Sequence, residues 1–377
     1  MVLLPPLQPD SLTRGGSQLQ TAVFFGLLGK RGIIDEQDRS LLVLLGRRVI
    51  EALWNSGIAI IAFLQGLGDW LTPPMLALTF LGRAEFYLLV MPLIYWCVDY
   101  RLGLRLAVVL LVGASLNDAL KIACHAPRPL WLAPHLKALA TEVSFGLPSG
   151  HAQHALSVWG LLANSLRRRW AWAAVLMLSF LIGLSRVYLA VHFPSDVLAG
   201  WLVGALWLWL FLRGERRLGK WIQQRSLGQG ILLSCLLSLA SLGLVGLSLL
   251  SLGDWQLPDD WLANALAVGQ SPAPLRPVDG VNAAGALLGF VAGVAWLKQR
   301  GGFASHRSYW QRLACALVGL LGSGGLWYGT GVLLPTDAAP LSFALYYWRA
   351  VCVGLWIAVG APLLFIRLGW VERKDWS

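Results

Sequence analysis

A chain of 377 residues that is 57% hydrophobic and only 13% charged does not describe a soluble domain, where charged residues make up about a quarter. Its net charge of +11 invites a nucleic-acid partner, yet the lysines and arginines lie in short loops between apolar runs, where membrane orientation puts them. No basic stripe with interleaved aromatics stands apart from those runs, so no nucleic-acid partner is expected. Several runs reach the roughly 20 residues needed to cross a bilayer core, and the chain reads as an all-α polytopic membrane protein.

Taken in order, residues 1–46 are mixed and polar, with Pro5-Pro6 and Gly15-Gly16. They lack the charged start and small-residue cleavage site of a signal peptide. From Arg47 to Gly68 the apolar Val49, Ile50, Leu53, Trp54, Ile58, Ile61 and Leu64 follow a helical stripe, with Glu51, Asn55 and Gln65 opposite. This amphipathicity predicts a helix lying in the interface. A first transmembrane helix flanked by Arg47-Arg48 is the alternative. Beyond Pro73-Pro74, spans are expected at about 75–98, 102–124, 149–166, 170–190, 195–213, 230–252, 281–298, 311–334 and 346–368. That makes nine, or ten with the first stretch. The basic clusters Arg101/Arg105, Arg167-Arg168-Arg169, Arg213 to Arg225, Lys298 to Arg312, and Arg367 to Lys374 then share one side. The loop 253–280 carries Asp254, Asp259, Asp260 and Asp279 against Arg276, and the loop 335–345 holds Asp337. By the positive-inside rule the basic side is cytoplasmic. Three units follow: residues 1–70 as a polar segment with an interfacial helix, 71–226 as a core bundle, and 227–377 as a C-terminal transmembrane extension. Five cysteines without a CxxC pair read as buried thiols, with no disulfide framework and no zinc site.

Three polar signatures interrupt the core. Lys121 is followed after six residues by Arg128-Pro129; Pro148-Ser149-Gly150-His151 comes next; Ser185-Arg186 is followed after five residues by His192, with Asp196 four further on. In the nine-span layout all three fall on the face opposite the basic loops. Taken singly each has a bland reading: a lysine snorkelling beside Asp118, a plain helix N-cap, a common His-x3-Asp. Together they supply three cations, two imidazoles, a carboxylate, a hydroxyl and a backbone amide at a helix N-terminus. Arginine offers a planar fork for phosphate oxygens and lysine a mobile ammonium. A carboxylate can hold one nitrogen of His192 while the other attacks, and His151 can donate a proton. His154, one turn on, reads as a packing histidine. The inventory suits gripping a phosphoryl group and transferring it through histidine.

The order and spacing of these signatures resembles the type 2 phosphatidic acid phosphatase superfamily, whose pattern K-x6-RP, PSGH, SR-x5-H-x3-D is complete here. The length, with Glu142 ahead of the second signature and the stretch Leu184 to Pro194, is similar to the glucose-6-phosphatase and sphingosine-phosphate phosphatase branch. The resemblance implies a helical-bundle phosphatase core followed by about four extra spans. It implies His192 as nucleophile forming a phosphohistidine, Asp196 orienting it, and His151 as acid and then base. Lys121, Arg128, Arg186, Ser149 and the Gly150 amide would hold the nonbridging oxygens. Neither metal nor cofactor is expected. The expected substrate is a membrane-associated phosphate monoester, a lipid or sphingoid phosphate. Alternatives are a polyprenyl diphosphate, a sugar phosphate, or transfer of the phosphoryl group to an alcohol. A vanadate haloperoxidase is disfavoured by the membrane character, and a non-catalytic transporter or scaffold by the intact motifs. The expected setting is a bacterial inner membrane, with membrane lipids as neighbours and the site facing the periplasm or exterior.

In the extension, Gly285, Gly289 and Gly293 make one smooth helix face, which predicts close helix packing. Arg349, behind Tyr346-Tyr347-Trp348, either snorkels to the interface or lines a cavity beside the core.

Overall fold

The computed structural model describes residues 36–303, 308–335 and 339–373. The polar segment 1–35, together with Arg307, Asp337 and Lys374, lies outside the described residues. Among the described residues every regular element is a helix. Helix α1 (Glu36–Gly66) is followed by the short α2 (Thr72–Phe80) and then α3 (Ala84–Leu93), which runs on through a π-helical turn to Val98. Next come α4 (Tyr100–Cys124), α5 (Gly150–Leu166), α6 (Arg169–Tyr188) and α7 (Pro194–Gln223). The chain continues with α8 (Leu227–Ser251), the short α9 (Asp259–Ala267), α10 (Val278–Gln299), α11 (Tyr309–Gly324), α12 (Pro340–Leu355) and α13 (Ala361–Arg367).

Local chemistry sets several of these ends. The Asp99 carboxylate accepts from the Leu102 amide and opens α4. Ser226 with Gln229 forms a capping box at α8. His125 adopts a left-handed conformation, φ 36°, and closes α4. Pro194 opens α7 where its missing N–H costs nothing.

Among the described residues, seven helical segments are long and apolar enough to cross a membrane. An eighth candidate is the pair Asp69–Phe80 and Ala84–Val98, bent by 48° at its break. The expected count of nine is therefore not reached by length and hydropathy. Three reasons are visible. The span expected at 75–98 is broken after Phe80, α5 has only 17 residues, and α11, in the span expected at 311–334, has only 16. Within α1, Leu44–Gly66 passes as a candidate span, as the transmembrane alternative for this stretch requires. Its Trp54, Ile58 and Ile61 are buried while Leu53, Ile60 and Phe63 face outward. Large apolar side chains such as Leu202, Leu247 and Leu250 are likewise exposed along other helices, as lipid-facing positions should be.

The smooth face of α10 packs on α12. A methyl group at Gly285 or Gly289 would overlap the carbonyl oxygen of Tyr347 or Val351, and one at Gly354 would stand 2.6 Å from the Ala286 carbonyl. Backbones in such contact need small residues on both sides. The extension also packs along the core, with α10 and α8 both lying against α4.

Candidate active site

Helix direction brings the three signatures to one end of the bundle. Lys121 is in the last turn of α4, Ser149 caps α5, Arg186 is in the last turn of α6, and Asp196 is in the first turn of α7. The basic residues Arg101, Arg105, Arg167 and Arg213 stand at the other ends of the same helices.

The signatures are tied to each other through backbone. The Ser149 amide donates to the Asp196 carbonyl at 2.9 Å. A Cβ at Gly200 would stand 2.5 Å from the Ser149 carbonyl, and one at Gly204 equally close to the Gln153 carbonyl, so α5 and α7 meet nearly backbone to backbone. Asn117 braces the same corner: its amide donates to Gln153 Oε1 at 2.9 Å and to the Pro148 carbonyl at 3.3 Å.

His192 is 1% exposed. Its Nδ1 lies 3.4 Å from Asp196 Oδ2, an oxygen that also accepts from the Phe193 amide at 2.9 Å. Its Nε2 lies 3.5 Å from Arg128 Nη1. Burial, reinforced by the cations of Arg128, Arg186 and Lys121, holds the His192 imidazole well below its ordinary pKa. It is neutral at neutral pH and keeps a lone pair.

The cations differ in how they are held. Arg128 Nη1 donates to the Val191 carbonyl at 2.7 Å, and Nη2 donates to Ser144 Oγ at 3.0 Å and the Phe145 carbonyl at 3.1 Å. Arg186 donates to Thr79 Oγ1 at 2.6 Å and pairs with Glu142. Lys121 Nζ donates to Ser144 Oγ at 2.8 Å. It does not hydrogen-bond Asp118, whose Oδ2 instead accepts from the Gly280 amide of the extension at 2.8 Å. The snorkelling reading placed that lysine beside Asp118 because the two share a helix turn; the loop above the site offers the better acceptor.

Glu142, Ser144 and Thr79 were not legible as site residues. Glu142 pairs with Arg186 and lies 3.5 Å from Arg128. Burial pushes its carboxyl up, but Arg186 and Arg128 outweigh that and hold it well below the usual carboxylate range. The available signal was a lone carboxylate in an apolar loop otherwise carrying only cations.

Lys121, Glu142, Gly150, His151 and His192 line one cavity of about 270 Å³, with Asp118 and Asp279. Arg128, Ser149, Arg186 and Asp196 are buried just behind its wall. His154 also lines it and packs edge-on to Tyr87, ring centroids 6.2 Å apart. Among the described residues, Ser149 Oγ, His151 Nε2 and Arg186 Nε are buried without a hydrogen-bond partner. Of these three residues His151 lines the cavity, while the Ser149 hydroxyl and the Arg186 Nε–H are spare donors behind its wall. No group of three or more His, Cys, Asp or Glu among the described residues has the geometry of a metal site. Arg349 stacks over Trp327 at 4.0 Å and reaches Asn282 Oδ1 at 3.4 Å, and both of those partners line the cavity.

Residues 102–220 match the PAP2 superfamily model, and residues 281–373 match the transmembrane extension of PAP2 superfamily phosphatases. Phosphatidylglycerophosphatase B of Bacillus subtilis is 31% identical over 168 residues, covering 41% of this chain and 80% of that one. Human glucose-6-phosphatase 3 is 30% identical over 186 residues, covering 43% of this chain and 54% of its own. The match thus spans about half of that relative's length. Mouse sphingosine-1-phosphate phosphatase 2 is 30% identical over 134 residues, covering 33% of this chain and 37% of that protein.

Proposed function

The chain belongs to the PAP2 superfamily, and from that premise we propose that it is a membrane phosphatase hydrolysing an amphiphilic phosphate monoester through a phosphohistidine at His192. The observation that carries this reading is that both imidazoles open onto one cavity with Lys121, while two further guanidiniums stand buried behind it.

In the first step His192 Nε2 attacks phosphorus, the bond to the leaving alkoxide breaks, and His151, entering as the imidazolium beside the bound phosphate, gives that oxygen a proton. Asp196 on Nδ1 fixes the tautomer and balances the charge that develops on the ring. In the second step the now neutral His151 takes a proton from water, whose oxygen attacks phosphorus. The P–N bond breaks, His192 and the His151 imidazolium are regenerated, and inorganic phosphate leaves. Transition-state charge sits on the nonbridging oxygens, so fixed cations in a partly dry pocket supply most of the rate. In this reading Lys121, Arg128, Arg186, the Ser149 hydroxyl and the Gly150 amide hold those oxygens. Three cations fill the place a metal would take, and turnover is proposed to be metal-independent.

The positive-inside rule puts the basic loops in the cytoplasm and the site on the outer face of, in our reading, a bacterial inner membrane. The test is phosphate release by purified protein across lipid, sphingoid, polyprenyl and sugar phosphates, with and without EDTA. Turnover unchanged by EDTA and absent in His192→Ala is expected. Turnover lost to EDTA, or retained by folded His192→Ala, would contradict the proposal.

A further inference from the structure

The cavity does not end at the catalytic residues. On α4 it is lined by Gly103, Ala107, Leu111, Ala114, Asp118 and Lys121, with Leu110 and Asn117 completing a single helical stripe. From Lys121 to Gly103 is 18 residues, about 27 Å of helix rise, against a hydrocarbon core of roughly 30 Å. The facing wall belongs to the extension. Asp279, Asn282, Ala283, Ala286 and Phe290 form one stripe of α10, which runs antiparallel to α4, so Asp279 sits at the catalytic end and Phe290 deeper. Helix α3 and the α12 segment close the other sides through Met91, Val353 and Ile357.

Polarity changes along this length. Charged and amide side chains cluster at the catalytic end. Below Ala114 on α4 and Asn282 on α10, the lining of those two helices is wholly apolar. A charged end that suits a phosphate, continuous with an apolar shaft that crosses most of the bilayer, has the polarity of an amphiphile. The cavity of about 270 Å³ that follows this length therefore offers an apolar wall to a hydrocarbon tail beside its charged end.

We infer that the core and the C-terminal extension together form an intramolecular shaft for the tail of an amphiphilic phosphate, whose headgroup reaches His192. The extension is thereby half of the substrate site. This rests on the phosphatase reading, and the two can fail separately.

The experiment measures kcat/KM for n-alkyl phosphates of increasing chain length. The proteins are wild type, Ala107→Phe, Ala114→Phe and the lipid-facing control Leu89→Phe. Ala114 lies about 10 Å below Lys121 and Ala107 about 21 Å. Wild type and Leu89→Phe should favour long chains over short. Each plug should lower the long-to-short ratio by at least tenfold, with the cut-off at shorter chains for Ala114→Phe. A ratio unchanged by both plugs overturns the tunnel and leaves the phosphatase standing. If wild type cleaves none of these esters, the phosphatase reading falls. The tunnel is then tested by cross-linking a long alkyl phosphate with a terminal diazirine. Adducts at Met91 or Phe290 support it, and adducts only at lipid-facing Leu89 overturn it. The same cross-link decides the matter if the plugged variants do not fold.

Discussion

Arg128 and Arg186 carry the same charge but spend it differently. Arg128 is a strut whose fork is taken up by the Val191 and Phe145 carbonyls and by Ser144. Arg186 keeps a buried Nε without a partner. Arg186→Lys should therefore lower kcat by about 10²–10³, the usual cost of one lost oxyanion donor, and lose less melting temperature than Arg128→Lys, because a lysine can keep the Glu142 ion pair. Arg128→Lys should also strand buried carbonyls and cost roughly 3 kcal/mol of stability; thermal unfolding in detergent separates the two. Glu142 sits between both guanidiniums, where it competes with an anion. In Glu142→Gln the inhibition constant for inorganic phosphate should fall about tenfold, the effect of roughly 1.4 kcal/mol. The same variant should be less stable at pH 7, because a carboxylate whose folded pKa is depressed stabilises above its unfolded value of about 4.3. That deficit should stay constant from pH 8 to 5 and shrink only as the pH falls below about 4.3 toward the depressed folded value. A deficit that instead varied between pH 5 and 8 would assign the loss to another group.

At the scale of elements, the close seam between α10 and α12 is the part of the extension most plainly written in the sequence. Its Gly285, Gly289 and Gly293 recur every four residues, and each meets a backbone or small side chain of the α12 segment. Gly289→Leu should destabilise the protein by about 1–3 kcal/mol, as overpacking does, and differential scanning of the purified protein measures it. The catalytic ends of α4, α5, α6 and α7 were legible for a related reason: polar residues in apolar helices are expensive and have few places to go. The loop over the site was not. Glu142 and Ser144 act through contacts 14 to 44 residues away in sequence, and no local period encodes them. The bend after Phe80 was not hidden in this way: Gly82, Arg83 and Glu85 interrupt the expected span 75–98 where the helix breaks.

For the molecule as a whole, antiparallel helices put every motif at one end and the basic loops at the other. Cysteine scanning tests this: single cysteines at Asp254 or Asp260 should react with impermeant maleimide in intact cells, and one at Arg168 should not. The reverse pattern would invert the topology. The family and the architecture could be read from motif order and hydropathy. The shaft between core and extension could not, since its walls come from α3, α4, α10 and α12, and only packing reveals that their stripes face one another. The central claim is narrower than any of this: the cluster transfers phosphoryl through His192. Its most direct test is mass spectrometry of alkaline-quenched His151→Ala protein turning over an aryl phosphate, whose leaving group needs no proton. Phosphorylation confined to His192, and absent once His192→Ala is added, is the predicted result. Turnover with the phosphoryl group on another residue, or with no phosphoenzyme, would contradict it.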